Sequence, residues 1–292
     1  MLKRELHRAT IGLALSGGAA RGIAHVGVLL ALAEHKIPID YVAGTSAGAL
    51  VGGAFASGMP LSEIEGLGLN LRWRDIGRVT MSRLGVQTNE RLEQYLRARM
   101  PVTRFEELPI PFAAVATELH SGAAVVMKDH GDVPFAIRAS CAIPGWYVPV
   151  TDGDGRQLVD GGLVAIVPSS VVRSLGADIV IAVDVNAEGA LFLGPSRSVI
   201  SILLQSMLVV QRTASLYQLE AADLVIGPRL GHIRWDELAR ADELIAAGYE
   251  AGVASIPGIG ALLEAASKAD PKWYHLRRRK KSSTKPRLRL PT

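Results

Sequence analysis

Ser46 sits in Gly44-Thr45-Ser46-Ala47-Gly48, a Gly-x-Ser-x-Gly pentapeptide. A short apolar run, Asp40 to Ala43, leads into it, and a small-residue stretch, Ala47 to Ser57, follows. That is the layout of a nucleophile elbow, in which a sharp strand-to-helix turn pushes a serine hydroxyl into the open. Glycines two residues either side avoid a collision in so tight a turn. The helix behind the serine would aim its N-terminal N–H groups at the reaction site, where developing negative charge is favoured. Glycine is common in this chain, 30 of 292 residues, so the pentapeptide arises by chance in about one such chain in five. A Gly-rich turn between a strand and a core helix reads the same five residues without any chemistry.

A reacting serine needs two further groups. The first is a set of N–H donors for the oxyanion of a tetrahedral intermediate, each worth roughly 3 kcal/mol. Gly17-Gly18-Ala19 lies between the first apolar run and the first helical stretch. In a parallel sheet with neighbouring first and second strands, that loop falls beside the elbow, at the carboxyl ends of the strands. Arg21 would brace the loop or attract a phosphate. A nucleotide loop fits poorly, because Gly-x-Gly-x-x-Gly and the Walker Gly-Lys-Ser/Thr are both absent. A purely structural Gly-rich turn is the remaining alternative.

The second group is a base. Seven histidines are present: His7, His25, His35, His120, His130, His232 and His275. Ser46, Asp184 and His232 would satisfy the chain order of an α/β-hydrolase triad, but that fold sets several strands before the elbow and here there are two. His232, in Gly231-His232-Ile233-Arg234, reads as a surface-loop residue, and His25 as a helix-packing or loop-bracing one. Asp160, in Val159-Asp160-Gly161-Gly162, is the better candidate. Two glycines leave the carboxylate accessible and the backbone free to turn. An ordinary Asp, with a pKa of about 3.9, is a weak base. It would need close geometry and a partly dry site, which also raises its pKa. Asp-Gly-Gly by itself also serves as a hairpin turn.

The elements that must position these groups follow from periodicity. Thr10 to Ser16 reads as a buried strand, Gly17 to Gly22 as a flexible loop, Ile23 to Lys36 as a helix, Asp40 to Ala43 as a second strand, and Ala47 to Ser57 as a second helix. This βαβα start predicts a parallel sheet covered by helices. Residues 60–100 read as helical with few strand signals. Strands are expected at Phe112 to Ala116 and Ala123 to Met127, and a helix at Val133 to Ala142, capped by Asp132 with Pro134 in its first turn. Gly153-Asp154-Gly155 marks a hairpin before Leu158-Val159-Asp160. A helix at Pro168 to Leu175, a strong strand at Ile179 to Val185, a long helix at 198–221, a strand at Leu224 to Ile226 and two more helices complete the body. No stretch reaches 18 uninterrupted apolar residues, and Val199 to Val210 reads as a buried amphipathic helix.

Three spaced blocks now stand in order: Ser16-Gly17-Gly18-Ala19-Ala20-Arg21-Gly22, Gly44-Thr45-Ser46-Ala47-Gly48 and Asp160-Gly161-Gly162. They resemble the signature blocks of patatin-like phospholipases. Phe105-Glu106-Glu107-Leu108-Pro109, Ala116-Thr117-Glu118-Leu119, Ile137-Arg138-Ala139-Ser140-Cys141-Ala142-Ile143-Pro144 and Gly176-Ala177-Asp178 look like the bacterial branch of that family. The resemblance covers roughly residues 10–230. It implies a three-layer α/β/α fold with a mostly parallel sheet, and a Ser–Asp dyad hydrolase acting on fatty acyl esters of lipids without metal or cofactor. It makes Ser46 the nucleophile, Asp160 the base, and the amides of Gly17, Gly18 and Ala19 the oxyanion hole. Two departures stand out. The third glycine of the loop is Ala19, and Leu163-Val164-Ala165-Ile166-Val167-Pro168 lacks the asparagine that often precedes the proline in this family.

Composition sets the domain layout. Residues 277–292 hold eight of the 32 Lys and Arg and no acid, a charge of +8; residues 1–276 carry 24 basic against 28 acidic groups, or −4. The expected layout is an N-terminal extension (1–9), a catalytic domain (10–276) and a basic tail (277–292). The tail is either solvated or drawn to anionic lipid headgroups. Nucleic-acid binding is not indicated, because no aromatic-and-basic motif accompanies the run. The N-terminus lacks an h-region, and the single Cys141 excludes an internal disulfide, which fits a cytoplasmic, reducing location with peripheral membrane contact as an option. Apolar residues around Leu61 to Leu71 and Trp146-Tyr147 are candidates for an acyl channel or ordinary core. A non-catalytic lipid- or partner-binding protein on the same fold is the alternative of a different class.

Overall fold

The computed structural model describes residues 8–188 and 198–268; the basic segment 277–292 and most of the N-terminal extension lie outside them. In chain order the elements are β1 (Ile11–Leu15), α1 (Ala24–Glu34), β2 (Tyr41–Thr45), α2 (Ala47–Ala56), α3 (Leu61–Asn70), α4 (Trp73–Ile76), β3 (Arg78–Val79), β4 (Gly85–Thr88) and α5 (Glu90–Arg97). Then come β5 (Phe112–Glu118), β6 (Ala124–Met127), α6 (Val133–Ser140), β7 (Gly145–Tyr147), β8 (Val150–Thr151) and β9 (Gln157–Asp160). The chain continues with α7 (Ser169–Leu175), β10 (Ile179–Val183), α8 (Val199–Leu219), β11 (Leu224–Ile226) and α9 (Ala241–Lys268).

The main sheet has the order β11-β10-β1-β2-β5-β9-β8, with β6 also paired to β5. The run from β11 to β5 is parallel, and β9, β8 and β6 are antiparallel. β1 (IGLAL) and β10 (IVIAV) are unbroken apolar runs because both faces are covered. Ile11, Leu13 and Leu15 pack into the core under α1, α2, α6 and α9. On the other face Ala14, Ala43 and Ala113 form a small-residue floor for Val171 and Val172 of α7 and Leu219 of α8. The layers are therefore α/β/α, as the sequence predicts. Asp132 caps α6 as expected, its Oδ1 accepting from the Phe135 N–H at 2.8 Å.

Four expectations need correction. The loop after β1 is a buried 3-10 turn, Ala19–Ile23, rather than a flexible segment. Residues 60–100 contain β3 and β4, which join β7 in a second, three-stranded sheet; the strands are too short to show periodicity. The two helices expected after β11 are one, since α9 runs unbroken through Pro257. Finally, α8 is not buried all round: Val199, Ile202, Leu203, Val209, Val210, Leu216 and Tyr217 face outward.

The run Leu238–Lys268 has the length and composition of a membrane-crossing helix. Its packing makes it a wall of the core instead. Gly248 and Gly252 lie against Ala24, Val28 and Ala31 of α1, and Gly27 of α1 meets the Ile245 carbonyl in return. A Cβ on Gly27 would overlap that carbonyl. Replacing Gly27 with Ala gains up to about 1 kcal/mol in helix propensity, while overpacking costs about 1–3 kcal/mol. Because the clash is with rigid backbone, we expect Gly27→Ala to lower unfolding stability by about 1–2 kcal/mol, read from urea titration.

Candidate active site

The elbow is built by strand register. Thr45 of β2 pairs with Val115, and Ala116 of the same β5 pairs with Asp160. The residue after Thr45 therefore comes level with Asp160 across one intervening strand, roughly 10 Å of backbone separation that two side chains can bridge. Ser46 leaves β2 at φ 53 and ψ −123, a strained conformation for a residue with a Cβ. Packing holds it there. Gly44 lies against the Gly48 carbonyl and Gly48 against the Leu15 carbonyl, so neither position has room for a Cβ. The Ser46 N–H donates to Ser140 Oγ at 2.8 Å, and that hydroxyl donates onward to the Val115 carbonyl. The first α2 bond runs from the Leu50 N–H to the Ser46 carbonyl, leaving the preceding helical amides open at the serine.

The Gly-rich loop lies beside the elbow, as the adjacency of β1 and β2 requires. Gly17, however, is not a free donor: its N–H is bound to the Ile166 carbonyl at 3.0 Å. The expected trio is thus reduced to the amides of Gly18 and Ala19, which have no acceptor among the described residues. Ala19 adopts φ 49 and pays the strain a glycine would avoid. Asn186 steadies the loop through an Nδ2–H bond to the Gly17 carbonyl at 2.8 Å. Arg21 is buried and donates from Nε to the Ile233 carbonyl at 2.8 Å. It lines neither chamber at Ser46, so the geometry favours the bracing role over phosphate attraction. His25 is buried, pushed down to about 4 by desolvation and hence neutral, and donates from Nε2 to the Ser16 carbonyl at 2.8 Å.

Asp160 is 3% exposed. Burial pushes its pKa up to about 6; the neighbouring Ser46 side chain and the Gly162 N–H (2.7 Å to Oδ1) oppose that rise. Two chambers meet at Ser46, Ala19 and Ile143. The larger, about 100 Å³, is walled by apolar groups that include Val26, Leu50, Ile64, Leu71, Leu92 and Tyr147. The smaller, about 40 Å³, holds Asp160, Asn186 and Gln211 beneath Leu204 and Leu208 of α8. The expected channel residues Ile64, Leu67, Leu71 and Tyr147 line the first chamber, and Trp146 does not.

The triad alternative is not assembled. His232 is exposed and bonded through Nε2 to Glu243 Oε1 at 2.6 Å, and it lines neither chamber at Ser46. Asp184 lines neither chamber at Ser46 but an adjoining recess with Arg212 and Ser215. Cys141 also lines the apolar chamber, and burial pushes its thiol well above the ordinary range, so it stays protonated.

A patatin-like phospholipase family model matches residues 13–172. The chain belongs to the patatin-like phospholipase family. An uncharacterised NTE family protein of Mycobacterium tuberculosis is 38% identical over 217 residues, 73% of this chain and 59% of that protein. The patatin-like phospholipase domain-containing protein 7 of Mus musculus is 34% identical over 197 residues, 64% of this chain but 14% of that protein. The chain thus spans about three fifths of its mycobacterial relatives (59%) and a small part of the animal ones (14%). VipD from Legionella pneumophila shares the fold, with a TM-score of 0.57 at 14% identity, covering 89% of this chain and 67% of that one.

Within this patatin-like domain the segment after Asp160, which lacks that asparagine, is held from other elements. Gln218 of α8 donates from Nε2 to the Val164 carbonyl (3.1 Å) and accepts the Val167 N–H (2.8 Å). Thr45 Oγ1 donates to the Ala165 carbonyl at 2.6 Å, and Thr117 Oγ1 to the Asp160 carbonyl at 2.9 Å. The sequence signals none of these partners, because the residues joined lie up to 120 positions apart. Gln218→Ala leaves a partly buried N–H and carbonyl unpaired, and should cost about 1–3 kcal/mol in urea unfolding.

The Asp160 shift also has a sign. The folded pKa of about 6 lies above the ordinary carboxylate value, so the penalty is absent below the unfolded pKa and grows as pH rises from about 4 through about 6. Asp160→Asn keeps the acceptor for Gly162 and removes the charge. It should unfold at the same temperature as wild type at pH 4, and be more stable at pH 8 by roughly 3 kcal/mol.

Proposed function

We propose that the chain hydrolyses fatty acyl esters of lipids, phospholipids included, through Ser46 and Asp160. One observation carries the reading: a strained serine and a buried carboxylate line the same small chamber, which opens at that serine into an apolar one. Ser46 Oγ attacks the ester carbonyl carbon while its proton passes to Asp160. The oxyanion is met by the Gly18 and Ala19 amides and the α2 N-terminus. Collapse expels the alcohol, which takes the proton back from Asp160, and leaves an acyl-Ser46 ester. Water then attacks that ester with Asp160 as base, releasing the fatty acid and restoring the serine. The apolar chamber suits the acyl chain, and the smaller chamber suits the alcohol and the entering water. A base with a pKa near 6 is matched to neutral pH far better than an ordinary aspartate.

The test uses a chromogenic fatty acyl ester and a fluorophosphonate, whose phosphorus the serine attacks with loss of fluoride. Wild type should turn over and carry one adduct, on Ser46. Ser46→Ala and Asp160→Asn should each lose at least about a thousandfold in kcat, while His232→Ala keeps wild-type rates. Since the base must be ionised, kcat/KM should fall as pH drops through about 6. Equal rates in wild type and both dyad variants, or a loss in His232→Ala matching that in Ser46→Ala, would overturn the dyad.

A further inference from the structure

The hairpin formed by β3 and β4 combines exposed apolar residues with a group of arginines, whereas the apolar outer face of α8 carries only Arg212. Isolated exposed apolar residues are ordinary. Here four fall within eight positions at one tip: Val79 at 75%, Met81 at 103%, Leu84 at 57% and Val86 at 36% exposure. Arg78 and Arg83 flank Met81, and Arg72 and Arg74 precede the hairpin; all four are exposed. Asp75 is the one acid between residues 72 and 88. Among the described residues none of these four arginines pairs with a carboxylate, although most other exposed arginines do.

The root of the hairpin belongs to the wall of the apolar chamber. Trp73 and Ile76, just before β3, line it. Gly77 lies against Gln87 and Tyr147, β4 pairs with β7, and Tyr147 of β7 lines the chamber. The tip, by contrast, touches water. A convex two-stranded finger presents too little area for a protein interface, which needs roughly 800 Å² from each partner. Nucleic acid would use the arginines and leave Met81, Val79 and Leu84 in water. An anionic bilayer uses both. The apolar tip enters the headgroup and acyl boundary, and the guanidinium groups meet the phosphates around it.

We propose that the β3–β4 hairpin is a docking finger for anionic lipid surfaces, which seats the chamber wall at the bilayer. The lipid-substrate reading above gives this finger its purpose, but the binding itself is measured without turnover.

The experiment is flotation of the full chain with vesicles of phosphatidylcholine alone, or with roughly one third phosphatidylglycerol. Wild type should float with the anionic vesicles. Met81→Asp combined with Leu84→Asp should reduce partition about tenfold, and Arg78→Ser combined with Arg83→Ser should do the same on anionic vesicles with little change on phosphatidylcholine. Both double variants should keep the wild-type unfolding midpoint and full turnover of a soluble short-chain ester. Ser46→Ala should float like wild type, so loss of the chemistry and loss of the docking are separate results. Wild-type flotation of both double variants would overturn the proposal. So would sedimentation equilibrium showing a wild-type dimer that the Met81→Asp and Leu84→Asp changes dissociate, because the tip would then cover a second copy.

Discussion

A carboxyl group taken out of water is the constraint on which this molecule turns. Asp160 accepts the Gly162 N–H, has the Ser46 side chain beside it, and meets little solvent. These contacts do not make up for the lost hydration of a carboxylate, so the pKa climbs to about 6. That imbalance destabilises the fold, and it gives an aspartate the proton affinity of an imidazole. The buried histidine, His25, is committed to the Ser16 carbonyl and held neutral.

Strain is the second cost, and it is concentrated beside the same serine. Ser46 and Ala19 both adopt positive φ, each at about 1–3 kcal/mol. Neither can relax, because the glycines around them are pressed against carbonyl groups or side chains of neighbouring strands. Gly161 does the same for Asp160, lying against the Val115 carbonyl. Close backbone approach, rather than side-chain bulk, thus fixes the elbow, the loop and the carboxylate relative to one another. The small-residue floor of Ala14, Ala43 and Ala113 serves the opposite face of the sheet, where it lets α7 come close.

α8 connects these parts in a way no single segment reveals. Its inner side covers the smaller chamber with Leu204, Leu208 and Gln211, and Gln218 grips the segment after Asp160. Its outer side leaves Val199, Ile202, Leu203, Val209 and Val210 exposed. From sequence the segment reads as a buried amphipathic helix, because composition reports burial demand and not which face is met by a partner.

The sequence by itself determined the local geometry. Gly44 and Gly48 demand the elbow, the apolar runs at β1, β2 and β10 demand a parallel sheet, and Asp132 with Pro134 sets the start of α6. These are short-range demands, legible because steric exclusion and capping act over a few residues. Only the tertiary structure decided that the Gly17 N–H is bound to Ile166, that Gln218 grips the segment after Asp160, and that His232 turns to Glu243. It also decided how dry Asp160 is, and therefore which protonation state it favours. Those outcomes depend on groups far apart in the chain, and a hydrogen bond or a dehydrated charge has no meaning until its surroundings are assembled.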